Sequence, residues 1–259
     1  MERKNTLSIG EYYHVYNRGT DKRVIYNTDH DRRRFLALLY LCNSNEPITV
    51  GSRRCLQKGG IFNKVFSAER GETIVDIGAY CLMPNHFHIL MYEKRENGIS
   101  QFMQKLCTAY SMYFNKKNER KGTLFEGPFR SELIDDDSYF NYVFSYIHLN
   151  PVSLVSPKWK ECGIDDINRT AEFVRGYAHS SYPDYFGDHG ASTRPRSKIL
   201  EPASFPEHFF DIDGVEDLVE MWNESKELVE AAQAAEAVEA AEHREFLNDI
   251  EEEEDDDTL

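Results

Sequence analysis

Three observations on the sequence predict an α+β fold. Segments typical of strands and helices follow one another as strand, helix, strand, strand, helix, strand up to residue 134, and a further helix comes next. Hydrophobic residues make up 41% and aromatic residues 13% of the 259 residues, which supplies enough apolar surface for a core. The chain order βαββαβ is that of the ferredoxin-like fold, an antiparallel sheet with helices on one face. We expect the last, added helix to lie beside this sheet.

Local signals mark the first strand and the first helix. Residues 11–18 are rich in Tyr and Val and predict a strand, which a turn follows. Asn27 or Thr28 is expected to cap a helix that ends near Leu41. Residues 43–71 contain several glycines and basic residues, which predict an irregular excursion between helix and hairpin.

A β-hairpin is predicted for residues 73–92, with Pro84-Asn85 as its turn. His86 and His88 open its second strand. Alternate side chains of a strand point to the same face, so both imidazoles project to one side. Two neutral imidazoles about 6–7 Å apart can converge on one divalent metal ion.

A second helix and a fourth strand complete the sheet. The helix is expected to begin between Asn97 and Ser100 and to end near Asn118. A basic loop follows at 116–122, and residues 129–134 predict the last strand.

The added helix is predicted for residues 138–149, after a run of acidic residues and before Pro151, which stops it. Tyr146 and Asn150 are four residues apart and share one helix face at roughly 5–6 Å. Tyr142 lies one turn earlier on that face. If this face meets the strand with the two histidines, a phenol and an amide oxygen join the two imidazoles.

Such a set of groups predicts metal-assisted chemistry on a phosphate. Ligation by His86, His88 and the amide oxygen of Asn150, with positions open to water and phosphate, suits Mg²⁺ or Mn²⁺ better than a closed zinc site. A bound metal would polarise a phosphate, and a nearby tyrosine, Tyr146 or else Tyr142, could attack it. Two other histidines lie near these motifs. We expect His148 to be structural or to support a ligand from behind, and His14 to be structural, with a contact to DNA as the alternative.

Charge divides the chain into a mildly basic body and an acidic C-terminal part. The whole chain carries a net charge of −15, with 30 basic and 45 acidic residues. Residues 201–259 hold 22 acidic and 2 basic residues, which leaves 28 basic and 23 acidic residues before them. We divide the chain into a domain over 1–190, a linker over 191–213, a helical extension over 214–250 and a disordered acidic tail over 251–259.

The sequence also predicts where the protein works. It has no run of 18 apolar residues, and its N-terminus lacks the apolar stretch of a secretory signal, so we expect no membrane partner. The 5 cysteines are scattered and form no Cys-x-x-Cys pair, which is typical of reduced thiols. A cytoplasmic, nucleoid-associated protein is the expectation.

Several motifs together resemble a known family. They are Leu82-Met83-Pro84-Asn85 before the His-x-His pair, Tyr146-Ile147-His148-Leu149-Asn150-Pro151-Val152, Tyr12-Tyr13-His14-Val15-Tyr16-Asn17-Arg18-Gly19, Leu124-Phe125-Glu126-Gly127 and Ser180-Ser181-Tyr182. Over roughly residues 8–190 the chain resembles the HUH-type single-tyrosine transposases, above all the REP-associated tyrosine transposases. The chain departs from the family in its longer segment 43–71, in Pro128, where many relatives carry a basic residue, and in its acidic C-terminal extension.

The resemblance implies a role for each matching residue. His86, His88 and Asn150 would be metal ligands, and Tyr146 would attack single-stranded DNA that carries a hairpin, giving a 5′-phosphotyrosine and a free 3′-OH. No nucleotide cofactor would be needed. Family members act as monomers or as dimers, so a homodimer stays open. Basic side chains that could follow DNA phosphates are Arg18, Lys22, Arg23, Arg53, Arg54, Lys116, Lys117, Arg120, Lys121 and Arg130.

Two other functions fit the same residues. A nuclease of this fold would use water instead of a tyrosine to attack the phosphate. A domesticated protein that binds REP-type hairpins would have lost catalysis, although the intact set of two histidines, tyrosine and asparagine argues against this.

Overall fold

The computed structural model describes residues 7–47, 62–186 and 194–231. Its centre is a four-stranded antiparallel sheet in the order β2-β3-β1-β4. The strands are β1 (Tyr12–Arg18), β2 (Asp76–Met83), β3 (His86–Tyr92) and β4 (Arg130–Ile134). The central strands β1 and β3 pair from Tyr12 opposite Tyr92 to Arg18 opposite His86. This order of strands is that of the ferredoxin-like fold, so the predicted fold class is confirmed.

Three longer helices follow the predicted order. They are α1 (Asp29–Cys42), α2 (Gly98–Lys117) and α3 (Asp137–Leu149). Thr28 begins α1 with a capping box, in which the side chain of Asp31 accepts a hydrogen bond from the Thr28 backbone. The Asp136 carboxylate caps α3 by accepting a hydrogen bond from the backbone N–H of Tyr139 at 2.8 Å. Each of these ends lies within two residues of the position that the sequence predicts.

The helices divide between the two faces of the sheet. Phe87 and Ile89 of β3 belong to a core with residues of α1 and α2, such as Phe35 and Phe102. Leu90 of β3 belongs to a second core on the opposite face, where α3 packs through its buried apolar side chains. These side chains are Phe140, Val143, Phe144 and Ile147. The added helix therefore covers the face to which His86 and His88 also point.

Most of the chain after α3 packs on the α3 side of the sheet, whereas Ile199 and Leu200 belong to the core with α1 and α2. This part of the chain forms the short helices α4 (Trp159–Cys162), α5 (Ile167–Gly176) and α6 (Tyr182–Tyr185), and a further helix, α7, over 215–231. Short 3₁₀ segments are found at Thr20–Lys22, Phe62–Ser67, Asn150–Leu154, Pro195–Ile199, Pro202–Ser204 and Glu207–Phe210. None of the helices within the described ranges combines the length and the apolar character needed to cross a membrane.

The segment expected to be a linker, 191–213, is described from residue 194 onward. Its side chains Ile199, Phe205 and Phe209 are buried against the body. Apolar packing of this kind holds a segment against the core, whereas a linker between domains makes few such contacts. The domain division itself stays a prediction. Residues 48–61 of the predicted excursion after α1, the predicted tail and the predicted extension beyond residue 231 lie outside the described residues.

Candidate active site

The two histidines of β3 lie in a pocket at one end of the sheet. The ring centroids of His86 and His88 are 4.9 Å apart, with the ring planes nearly perpendicular. The pocket encloses about 250 Å³. Its lining residues come from β1, β3, α3, β4 and the segment before β4: Tyr16, Asn17, Arg18, His86, His88, Glu126, Pro128, Arg130 and Tyr146. The sheet and the added helix thus bring the predicted metal ligands and the predicted nucleophile to one cavity.

A chain of polar contacts orients the ring of His88. Its Nδ1 lies 2.9 Å from Nε2 of His14, and Nδ1 of His14 lies 3.7 Å from the carboxylate of Glu132. A neutral imidazole has one donor and one acceptor nitrogen, so a carboxylate at the far end favours the tautomers in which each Nδ1 carries the proton. Nε2 of His88 then carries a lone pair and no proton. This atom is buried and has no hydrogen-bond partner among the described residues.

The hairpin turn does the same for His86. Nδ2 of Asn85 donates to the carbonyl oxygen of Lys22 at 3.1 Å, which fixes the orientation of the amide. Oδ1 of Asn85 then lies 2.7 Å from Nδ1 of His86 and accepts a hydrogen bond from it. The lone pair of His86 is thereby placed on Nε2, as in His88. The Pro84-Asn85 turn therefore contributes to the site as well as reversing the chain.

Burial keeps both imidazoles neutral. It lowers the pKa of His86 to about 4, and the charges of Lys160 and Arg18 act in the same direction. The pKa of His88 lies well below its usual range, first because of burial and then because His14 and His86 are close. Neutral imidazoles are the form that binds metal ions.

Helix α3 presents Tyr146 and Asn150 to these histidines. The ring centroid of Tyr146 lies 5.2 Å from that of His88, in an edge-to-face arrangement. The buried side chain of Asn150 is in hydrogen-bonding reach of both His86 and the Tyr146 hydroxyl. The side chain of Asn150 therefore faces the site, while its backbone continues from α3 into the 3₁₀ turn. Both groups belong to the same chain as the histidines.

The state of Tyr146 is set by burial and hydrogen bonding. Burial raises the pKa of Tyr146, and the hydrogen bond with Asn150 counteracts part of this effect. The other candidate, Tyr142, stacks on Tyr146 with centroids 6.0 Å apart, but it is not a lining residue of the pocket. On the geometry, Tyr146 is the better placed of the two.

A lysine that the sequence did not single out contacts the same hydroxyl. Nζ of Lys160, on α4, donates to Oη of Tyr146 at 3.1 Å. It also lies 4.2 Å from the centroid of the Tyr146 ring. The sequence around Lys160 contains no recognisable motif. The position of its side chain therefore depends on how α4 packs.

The basic residues predicted to contact DNA take different positions. Arg18 and Arg130 line the pocket, and Arg18 is paired with Glu126 at 2.9 Å. The other predicted residues do not line the pocket. Three lysines are exposed: Lys22, Lys116 and Lys121. Three further residues contact a neighbouring side chain: Arg23 pairs with Asp21, Lys117 with Asp31, and Arg120 with Asn115. Arg53 and Arg54 lie outside the described residues.

The donor atoms fit a hard or borderline divalent ion with open positions. Within 7–47, 62–186 and 194–231, no group of three or more His, Cys, Asp or Glu side chains is arranged to hold a metal ion. The two imidazoles line the pocket instead, with the side chain of Asn150 in hydrogen-bonding reach of His86, and this set leaves room for water and phosphate oxygens. The buried, unpartnered Nε2 of His88 is the feature that calls for an added ligand. Such a set suits Mn²⁺ and tolerates Mg²⁺.

The other sequence motifs have structural contacts. His148 is fully buried, with its Nδ1 on the carbonyl oxygen of Phe144 and its Nε2 on the hydroxyl of Ser181, so its expected structural role agrees with its contacts. The hydroxyl of Ser181 also accepts a hydrogen bond from the backbone of Tyr80 at 2.9 Å on edge strand β2. His14, by contrast, was expected to be structural and proves to contact a predicted metal ligand. Its place on the strand beside β3, in register with Leu90, was the available signal.

Comparisons with known proteins point to a family of transposases. Residues 58–150 match the family model described as "Transposase IS200 like". The family resemblance predicted from the motifs is thereby confirmed. No curated protein sequence matches the chain significantly. Among solved structures, the chain is similar to a REP-associated tyrosine transposase bound to a REP hairpin, at 13% identity and a TM-score of 0.42, over 71% of this chain and 84% of that chain.

Proposed function

We propose that this chain is a metal-dependent DNA strand transferase that cleaves and rejoins single-stranded DNA carrying a hairpin. Its nucleophile would be Tyr146, and the intermediate a 5′-phosphotyrosine. The match of residues 58–150 to the family model of IS200-like transposases supports the class of reaction. The observation that carries the proposal is the position of Tyr146, which shares a pocket with the buried, unpartnered Nε2 of His88.

The pocket supplies groups for binding a phosphodiester. Arg18 and Arg130 stand at its rim, where guanidinium groups can pair with phosphate oxygens in bidentate fashion. Tyr16 is half-exposed beside them and offers a ring on which a base can stack. A backbone phosphate bound between these groups would lie within reach of the Tyr146 hydroxyl.

In the proposed cleavage step, Oη of Tyr146 attacks the phosphorus and a new O–P bond forms. The bond from phosphorus to the 3′ oxygen breaks, and the proton lost by the phenol is balanced by the proton gained by the 3′-OH. Rejoining is the reverse, in which a 3′-OH attacks and Tyr146 leaves. The phosphotyrosine conserves the energy of the bond, so no nucleotide is consumed.

His86, His88 and Asn150 are the residues that would hold Mg²⁺ or Mn²⁺. When bound there, the ion would polarise a phosphate oxygen and offset the charge that develops on it. The protein's own contribution is to present both histidines as neutral ligands, with their Nδ1 atoms held by Asn85 and His14. A single chain contains all of these groups, so the proposed chemistry does not require a second subunit.

Covalent capture tests the proposal. A single-stranded oligonucleotide with a hairpin from the DNA flanking the gene is labelled at its 3′ end, because the 5′-phosphotyrosine keeps the downstream fragment. With Mn²⁺ or Mg²⁺, the wild-type protein is expected to give a labelled band of protein size on a denaturing gel. Tyr146→Phe should abolish this band. Tyr142→Phe, which changes the neighbouring tyrosine outside the pocket, is the matched control and should keep it.

The two alternative functions give different results in the same assay. A water-using nuclease would still cleave the oligonucleotide as Tyr146→Phe and would form no adduct as wild type. A protein that only binds hairpins would shift the oligonucleotide on a native gel without cleaving it. The absence of any adduct with either metal, across the hairpins of the flanking DNA, would contradict the proposal.

A further inference from the structure

Lys160 is the one cation that the described residues place in hydrogen-bonding contact with the Tyr146 hydroxyl. Its Nζ donates to Oη of Tyr146 at 3.1 Å and lies 4.2 Å from the ring centroid. The side chain is half-buried. None of the motifs or proposed ligands includes this residue.

Helix α7 helps to hold Lys160 in this position. Nζ of Lys226 donates to the backbone carbonyl oxygen of Lys160 at 2.7 Å. Trp222 of the same helix packs on Trp159, the neighbour of Lys160, with ring centroids 4.6 Å apart. Trp222 also stacks on Tyr142, one turn before Tyr146. The backbone that carries Lys160 is therefore fixed by contacts from the C-terminal part of the chain.

We propose that Lys160 is a catalytic residue of this site, whose ammonium group stabilises the negative charge on Oη of Tyr146 in both cleavage and rejoining. The proposal rests on the function proposed above. During cleavage, the phenol gives up its proton and the ammonium donates a hydrogen bond to its oxygen while the O–P bond forms. The bond from phosphorus to the 3′ oxygen breaks, and that oxygen takes up a proton. During rejoining, the O–P bond to Tyr146 breaks, the departing phenolate again accepts from Lys160, and it then takes up the proton that the attacking 3′-OH has released.

The surroundings of Tyr146 explain why such a group is needed. Burial raises the pKa of Tyr146, and the negative charge of Glu132 acts in the same direction. Asn150 is the neutral neighbour that offsets part of this cost through a hydrogen bond. A cation in direct contact stabilises a developing oxyanion more strongly than a neutral donor does, because a charge-assisted hydrogen bond is about twice as strong.

The test compares Lys160→Met and Lys160→Arg with wild type in single-turnover adduct formation. Loss of one charge-assisted hydrogen bond predicts a fall of roughly 10- to 100-fold in the cleavage rate for Lys160→Met. Lys160→Arg keeps a cation that can donate to Oη of Tyr146, so it should retain more activity than Lys160→Met. Lys158→Met, which removes an exposed lysine two residues away, is the control and should cleave like wild type.

Two further readouts separate this role from structure or from DNA binding. The rate deficit of Lys160→Met should narrow as the pH rises, because hydroxide then forms the phenolate without help from the lysine. In a Tyr146→Phe background, Lys160→Met should leave the affinity for the hairpin oligonucleotide and for Mn²⁺ unchanged. A deficit that stays constant with pH would indicate a structural role.

The proposal on Lys160 and the proposed function can fail separately. If wild type forms no adduct, the proposed function fails. If wild type forms the adduct and Lys160→Met forms it at the same rate, the role of Lys160 is overturned. Equal loss in Lys160→Met and Lys160→Arg, or a matching loss of DNA affinity in the Tyr146→Phe background, would overturn it as well.

Discussion

The two faces of the sheet are built from the same strands and differ in what they do. Along β3, Phe87 and Ile89 point into the core with α1 and α2, whereas His86 and His88 point to the pocket under α3. Neighbouring residues of one strand therefore serve packing and chemistry in alternation. The face toward α1 and α2 can be largely apolar because the polar groups of the pocket lie on the other face.

Two buried polar groups, one on each side of the sheet, differ in whether they have hydrogen-bond partners. On the α1 and α2 side, the fully buried carboxylate of Asp31 contacts Thr28, Tyr113 and Lys117, which hold it in place. On the α3 side, Nε2 of His88 is buried without a partner. A satisfied buried charge serves stability, whereas an unsatisfied donor or acceptor costs stability and is typical of a functional site. Substitutions on the two faces should accordingly separate stability from activity.

The largest expected effect on stability comes from Phe87, which is 0% exposed and contacts Phe35 at a ring distance of 5.0 Å. Phe87→Ala should lower the free energy of unfolding by about 3–5 kcal/mol, since it leaves a cavity in the core. His88→Ala, one residue along the strand, should abolish Mn²⁺ binding in the pocket while costing far less stability. Urea unfolding and titration calorimetry measure the two effects. A loss of stability as large for His88→Ala as for Phe87→Ala would contradict the division of the strand into a face for packing and a face for metal binding.

A smaller loss is expected at Asp31. Asp31→Asn keeps the shape of the side chain but removes its charge, and should cost about 1.5–3 kcal/mol near neutral pH. Burial alone would raise the pKa of Asp31, but hydrogen bonds from Lys117, Tyr113 and Thr28 outweigh it and lower the pKa below 3.8. The ionised carboxylate therefore stabilises the fold above pH 3.8, and this contribution is lost as the pH falls through the lowered pKa of Asp31.

Unfolding of wild type and Asp31→Asn as a function of pH checks this prediction. The difference between them should be constant near neutrality and shrink in acid below the unfolded value of 3.8. Adduct formation by Asp31→Asn at neutral pH should match that of wild type wherever the variant is folded. A difference that grows in acid would contradict the sign of the effect.

The smallest expected effect is on the affinity of the metal site. His14→Gln removes the link between Glu132 and His88, so the ring of His88 is no longer held with Nε2 free. The affinity for Mn²⁺ should fall by roughly 10- to 100-fold, as for other residues that orient a metal ligand. His148→Gln is a useful comparison, because His148 contacts Phe144 and Ser181 instead of the pocket, and should leave Mn²⁺ affinity unchanged. Equal Mn²⁺ affinities for wild type and His14→Gln would remove His14 from the site.

Local patterns explain what could be predicted from the sequence. The alternation of β3 places His86 and His88 on one face, and the spacing of four residues places Tyr146 and Asn150 on one side of α3. The Asp and Thr caps and the prolines set the helix ends to within a residue or two. These features depend on neighbours in the chain, which is why the fold and half of the pocket follow from them.

Non-local contacts explain what could not be predicted. His14 contacts His88 across 74 residues, and Lys160 reaches Tyr146 through the packing of a four-residue helix that has no strong sequence signal. The burial of Phe205 and Phe209 in a stretch resembling a linker likewise depends on a core formed elsewhere. Pairing across such distances is decided by tertiary packing, so local periodicity carries no information about it.

The central claim is that Tyr146, beside the histidines of β3, is the group that becomes attached to DNA. Mass spectrometry of the covalent adduct tests it directly: the captured oligonucleotide is trimmed with a nuclease, the protein is digested, and the modified peptide is sequenced. A nucleotide phosphate on Tyr146 is the predicted result, formed only with Mn²⁺ or Mg²⁺ and lost in His88→Ala. Attachment to Tyr142 or Tyr16, or adduct formation that persists in His88→Ala, would contradict it.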